Sequence, residues 1–169
     1  MQNNDIAQTE ETFPNKVYLI LFTGLALLYL ALLSLDSFPV NALLSNALLK
    51  VAPILVLVWQ ATKLARNTQR TLLLTALLFS GLGDSILTLS APWSFPAGLA
   101  SFLIAQLVYA GLFFRSFIWQ TKRLIFLLLL IVHAAYFAAL LMPRAGDLAL
   151  AISAYLAAIS LMGIASIFY

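Results

Sequence analysis

The stretch Leu124-Ile125-Phe126-Leu127-Leu128-Leu129-Leu130-Ile131-Val132-His133-Ala134-Ala135-Tyr136-Phe137-Ala138-Ala139-Leu140-Leu141-Met142 decides the fold. It carries one ionisable side chain, His133, and no glycine or proline. As a helix it spans about 28 Å, close to the hydrocarbon thickness of a bilayer. A helix apolar on every face is solvated by lipid and not by water. Lipid offers no partner for free backbone N–H and C=O groups, so a crossing segment has to be helical.

Outward from this stretch the same pattern recurs at Val17–Leu35, Ala42–Ala61, Thr71–Leu89, Phe95–Ile118 and Leu148–Tyr169. The fold expected is all-α, a polytopic transmembrane helix bundle of about six spans. It forms one domain over residues 17–169, behind a polar tail at 1–16. That tail holds Asp5, Glu10 and Glu11 and lacks the basic start of a secretory signal, so it is expected to be retained. Composition agrees: 63% of residues are hydrophobic and 9% charged, which leaves too little charged surface for a soluble domain. With no cysteine there is no disulfide, thiolate nucleophile or Cys-ligated metal.

The net charge of +3 is not a nucleic-acid signal, because the basic residues are scattered between spans. They report topology instead. Lys63, Arg66 and Arg70 fall between the second and third spans, and Arg115, Lys122 and Arg123 between the fourth and fifth. The opposite connections hold only Arg144. The positive-inside bias then puts the N-terminus, with Lys16, in the cytoplasm, and the location expected is a bacterial inner membrane. The connections Asp36-Ser37-Phe38-Pro39, Ala91-Pro92-Trp93 and Pro143-Arg144-Ala145-Gly146 are short and rich in breakers. Sequential helices are therefore expected to pack as antiparallel neighbours. Trp59, Trp93 and Trp119 fall at span ends, where indoles anchor at the interface.

Ionisable groups inside spans are costly and are functional candidates by default. Three occur: Lys50, Asp84 and His133. Lys50 and Asp84 lie roughly 13 Å and 9 Å below the same membrane face, on adjacent antiparallel helices. Burial opposes the charged form of each, whereas their proximity favours both charges. Either a helix–helix staple or a functional pair satisfies this placement. Around the carboxylate, Ser80-Gly81-Leu82-Gly83-Asp84-Ser85 is built of small residues, which let helices approach closely and also leave room for a polar ligand. Pro53 cannot donate to the carbonyl of Leu49, leaving an acceptor beside Lys50.

On the fourth span Ala97, Ser101, Ala105 and Tyr109 recur every four residues as a close-contact stripe, with Gln106 beside it. Gln106 and Tyr109 suit either an interhelical hydrogen bond or a polar head group. His133 stands alone, so a zinc or two-metal site has almost no ligands to draw on. It is expected to be a packed, hydrogen-bonded histidine, with a proton relay as the alternative. Asp147 is placed to cap the sixth span, and Asp36 is expected in a loop or cap.

Three elements together resemble the lysoplasmalogenase-like, or YhhN-like, integral membrane family. They are Lys50-Val51-Ala52-Pro53; Phe79-Ser80-Gly81-Leu82-Gly83-Asp84-Ser85-Ile86-Leu87; and the run from Gly98-Leu99-Ala100-Ser101-Phe102 to Gln106-Leu107-Val108-Tyr109. Their order and spacing agree with the family pattern. Two departures stand out. The usual histidine of the third element is Gln106 here. The family also has eight spans, with a second carboxylate motif in the seventh, so a chain of six spans is expected to be a short form or part of a longer protein.

The resemblance implies hydrolysis of the vinyl-ether bond of a lysoplasmalogen, releasing a fatty aldehyde and glycerophospho-choline or -ethanolamine. A proton goes to the alkenyl carbon, water adds to the resulting cation, and the hemiacetal collapses. The logic is that of glycoside hydrolysis, where two carboxylates divide the acid and base roles. The resemblance makes Asp84 the acid or cation stabiliser, with Lys50 holding it or meeting the substrate phosphate. Ser80, Gly81, Gly83, Gln106 and Tyr109 would line the lipid head. No cofactor or metal is implied, and the partners implied are a lysophospholipid or ether-lipid substrate and membrane lipids, with no nucleic acid. Two other readings stay open: a non-enzymatic small transporter or lipid-binding scaffold, and a catalytically incomplete family member.

Overall fold

In the computed structural model the described residues are 16–34 and 43–169. The tail, Asp36 with its loop, and the side chain of Lys16 lie outside them. The described residues form six α-helices: α1 (Lys16–Ser34), α2 (Leu43–Thr62), α3 (Thr68–Leu87), α4 (Ser94–Phe114), α5 (Leu124–Leu141) and α6 (Ala149–Ile167). No strand interrupts them. Four segments are long and apolar enough to cross a membrane: Thr68–Leu87, Ser94–Phe114, Thr121–Arg144 and Gly146–Ile167. Leu19–Leu32 and Lys50–Thr62 are shorter apolar segments. The expected spans and the observed helices coincide to within a few residues at most ends.

Local chemistry sets several boundaries. Asn67 has extended backbone and its side-chain oxygen accepts from the Arg70 N–H at 2.8 Å, so α3 starts three residues ahead of its apolar run. Pro53 is buried within α2, which runs through it without a break. At the start of α6 the expected cap is absent. Asp147 sits in a 3₁₀ turn, Gly146–Leu148, and Leu148 occupies the cap position with no side-chain bond. The tight 3₁₀ turn satisfies the backbone instead, the Leu148 N–H bonding Ala145 at 3.0 Å.

Packing runs in the order α1, α2, α3, α4, α6, α5. Four of the five sequential pairs are neighbours as expected. The exception is α4 and α5, between which α6 inserts. The physical reason is the set of small residues on α6. Ala158 and Ala165 are buried, and seven residues apart they share a face, which lets α6 nest closely. By contrast α5 is apolar on all sides and has no buried residue. Among the described helices its main contact is with α6, with Leu130 lying over Gly163.

The tightest contact is between α3 and α4. A Cβ on Gly83 would come within 2.8 Å of the Phe102 ring, and one on Gly98 within 2.7 Å of the Leu87 side chain. Ser101 donates across the interface to the carbonyl of Phe79 at 2.7 Å, and Ala105 is fully buried. The expected stripe on α4 is thus a packing seam. At the other end of the bundle the residues after α6 close onto the α4–α5 connection. Phe168 is fully buried, stacked on Trp119 at 4.6 Å, and its carbonyl accepts from the Ile118 N–H at 2.6 Å. The Arg123 guanidinium donates to the carbonyl of Ile167 at 2.6 Å.

Candidate functional site

Two faces of α3 do different work. One, carrying Gly83, is pressed against α4. The other carries Asp84 into a cleft of about 310 Å³ whose walls are Ala26, Tyr29 and Leu30 of α1, Lys50 and Pro53 of α2, and Asp84 itself. Neighbouring residues on a helix point about 100° apart, so a glycine against α4 turns the next side chain away from it. The space is at the lower end of the range for small-ligand sites.

Lys50 and Asp84 are both half-buried, and the Lys50 charge acts on the carboxylate across the cleft. No ion pair closer than 4.0 Å joins them, and no described residue hydrogen-bonds the carboxylate. The acid is therefore held near a cation without being locked to it. Asp84 lies three residues from the end of α3 at Leu87, about 5 Å below that end, which is shallower than the roughly 9 Å expected from sequence. Pro53 stands beside the pair as a wall of the cleft, in a helix that stays continuous through it.

The remaining candidates divide. Gly81 faces Ile54 and Val51 of α2, with room for ordinary contact at 3.7 Å. Ser80 and Ser85 both donate back to their own helix, to Ala76 at 3.0 Å and Gly81 at 2.8 Å. Tyr109 comes from α4 to the Ser80 side of α3, near enough for the two side chains to interact. Gln106, one turn away from Tyr109, has its Oε1 buried with no partner, as has Gln60 on α2. So Lys50 and Asp84 are brought together on one side of α3, while Gly83, Gln106 and Tyr109 belong to the other, with Ser80 reached from it.

Sequence reasoning missed Tyr29. The available signal was a polar side chain in the first span at the height of Lys50 on its antiparallel neighbour. His133 also departs from expectation. It is exposed, makes a ring contact with Phe137 at 4.7 Å, and has no hydrogen bond to any described residue. The cause is the peripheral position of α5, which gives an imidazole at mid-helix no second helix to bond.

A family model described as the YhhN family matches residues 45–169. No curated protein and no solved structure matches the chain. The matched range contains Lys50, Asp84, Gln106 and Tyr109, and it excludes α1 with its Tyr29.

Proposed function

The chain belongs to the YhhN family, and on that premise we propose that it is a membrane-embedded hydrolase of the vinyl-ether bond of lysoplasmalogen-type lipids. The observation that carries this reading is the cleft holding Asp84 and Lys50 together with no direct ion pair between them. A carboxylic acid there is free to exchange a proton with a ligand, and an ammonium beside it complements a phosphate.

The reaction proceeds in balanced steps. Protonated Asp84 gives its proton to the alkenyl carbon distal to the ether oxygen, leaving an oxocarbenium ion next to the new carboxylate. Water adds to the former ether carbon while the Asp84 carboxylate accepts one of its protons. The hemiacetal collapses to an aldehyde, and the glycerol oxygen leaves as an alcohol. One carboxylate thereby serves as acid and then base, as the acid of a retaining glycosidase does. Lys50 and the Tyr29 phenol line the polar side of the cleft, and the alkyl chain stays among the apolar side chains of α1 and the bilayer. In this reading the N-terminus is cytoplasmic and the cleft opens toward the opposite face.

Aldehyde release from a lysoplasmalogen by the protein in lipid, with Asp84→Asn alongside, tests this reading. The parent should release aldehyde and the variant should lose at least about 100-fold, the usual worth of a positioned acid. Equal release by both would remove Asp84 from the chemistry.

A further inference from the structure

The cleft of α1, α2 and α3 holds a third polar side chain to which the reaction above gives no step, that of Tyr29. It belongs to α1, outside the residues that the family model matches, so its place in the site comes from the geometry of this chain. The three polar residues come from three consecutive antiparallel helices. Tyr29 lies five residues before the end of α1 at Ser34, Lys50 seven after the start of α2 at Leu43, and Asp84 three before the end of α3 at Leu87. At helical rise they stand about 8, 11 and 5 Å from those ends, within about one turn of a common level. The other described walls, Ala26, Leu30 and Pro53, bring no polar side-chain group.

Tyr29 is half-buried, and its phenol makes no hydrogen bond with a described residue. Lys50 likewise has no ion pair closer than 4.0 Å. Both are donors facing one space, and Asp84, once it has given up its proton, only accepts. A ligand that engages all three has to offer acceptors to Tyr29 and Lys50 and keep its anionic part off the carboxylate. A phosphodiester does so, because two non-bridging oxygens share one negative charge. The two donors are not equivalent. A lysine attracts an anion as a point charge on a flexible stem, whereas a phenol on a rigid ring fixes one oxygen in place. We propose that Tyr29 is a specificity-determining residue of the cleft. Its phenol donates to one non-bridging oxygen of the phosphodiester of a single-chain phospholipid, whose other oxygen meets Lys50. Phosphate-bearing lipids are thereby selected over neutral ones, and the bond to be cleaved is held within reach of Asp84. The identity of the lipid rests on the hydrolase reading.

The experiment measures equilibrium binding to the full chain in detergent, by scintillation proximity with a tritiated hexadecyl ether of lysophosphatidylcholine. This ligand has the phosphodiester and no vinyl-ether bond to cleave. Hexadecylglycerol, the same chain and glycerol without the phosphate, is the competitor. The parent should prefer the phosphate-bearing lipid by at least about tenfold. Tyr29→Phe, which removes one oxygen and keeps the ring, should weaken that lipid about tenfold, as for a hydrogen bond to a charged group, and leave hexadecylglycerol unchanged. Lys50→Met should do the same, and the double variant should lose less than the product of the two losses. Binding needs no turnover, so the outcomes separate. A phosphate preference that Tyr29→Phe leaves intact would overturn the role of Tyr29 and leave hydrolysis standing on Asp84. Tyr29-dependent binding with no aldehyde release would uphold the phosphate site and overturn hydrolysis alone. Equal displacement by glycerophosphocholine, which lacks the chain, would overturn the lipid in favour of a soluble phosphodiester. Should Tyr29→Phe fail to fold, acetylation of the parent by N-acetylimidazole serves, mapped by peptide mass spectrometry. The ether lipid should shield the Tyr29 phenol and hexadecylglycerol should not; equal shielding by both would overturn the proposal.

Discussion

Gly83 lies against the ring of Phe102 so closely that a β-carbon would meet it at 2.8 Å. This contact sets how near α3 and α4 approach, and through the next residue it sets where Asp84 points. Gly83→Ala should destabilise the bundle by about 1–3 kcal/mol, the range for overpacking. Gly81→Ala, two residues away, meets Ile54 at an ordinary 3.7 Å and should be neutral, or stabilising by up to about 1 kcal/mol. Thermal unfolding of both variants in detergent checks the pair, and equal effects would show that the Phe102 contact is not what fixes the spacing.

The Lys50 side chain lines the cleft with no ion pair closer than 4.0 Å. Lys50→Met should raise KM for a phosphate-bearing lipid about tenfold or more, as for a lost hydrogen bond to a charged group. Lys50→Arg should recover most of it. A fall in kcat at constant KM would instead make Lys50 a positioning residue for Asp84.

Ser101→Ala removes the bond from Ser101 to the Phe79 carbonyl across α3 and α4. The expected cost is about 0.5–1.5 kcal/mol, read as a lower midpoint of unfolding, with aldehyde release per folded molecule unchanged. An activity loss without a stability loss would place Ser101 in the site and not in the seam.

The spans were legible because apolar length is written directly into the sequence, and Asp84 with Lys50 because a charge inside such a length has few explanations. The position of α5 was not legible. Its apolar residues surround the helix, so no periodicity marks an inward face, and only the small residues Ala158 and Ala165 on α6 hint that α6 sits next to α4. The fate of His133 followed from the same omission. Likewise Gly83 and Gly81 look alike in sequence, yet one holds α4 and the other faces α2. The difference lies in rotation about the α3 axis, which neighbouring helices decide.

The Gln106 side-chain oxygen is buried without a donor. An unmet buried acceptor costs about 1–3 kcal/mol, so Gln106→Leu should raise stability by about 1 kcal/mol. If the amide serves the lipid head group, the same variant should lose kcat/KM as it gains stability. Unfolding and turnover measured on one preparation separate the two, and a stability loss would mean that Gln106 has a partner in the membrane.

Phe168→Ala should cost about 3–5 kcal/mol, because the ring is fully buried against Trp119 and Phe117. Arg123→Gln should cost about 1.5–3 kcal/mol through the bond to the Ile167 carbonyl. The two variants share one junction and should combine less than additively in a double-mutant cycle.

The insertion of α6 between α4 and α5 bears on how the bundle is built. Helices α1 to α4 can each dock on the preceding one as they leave the translocation machinery. The next helix cannot, since α6, the helix it chiefly packs on, has not yet been made. During biogenesis α5 waits alone in lipid, and the matching face of α4 waits uncovered, until α6 arrives and joins them. Assembly is thus stepwise for the first four helices and concerted for α5 with α6. A ribosome stalled after α5 should leave that helix accessible to cross-linking with lipid or insertase on every side, and release of α6 should end that state.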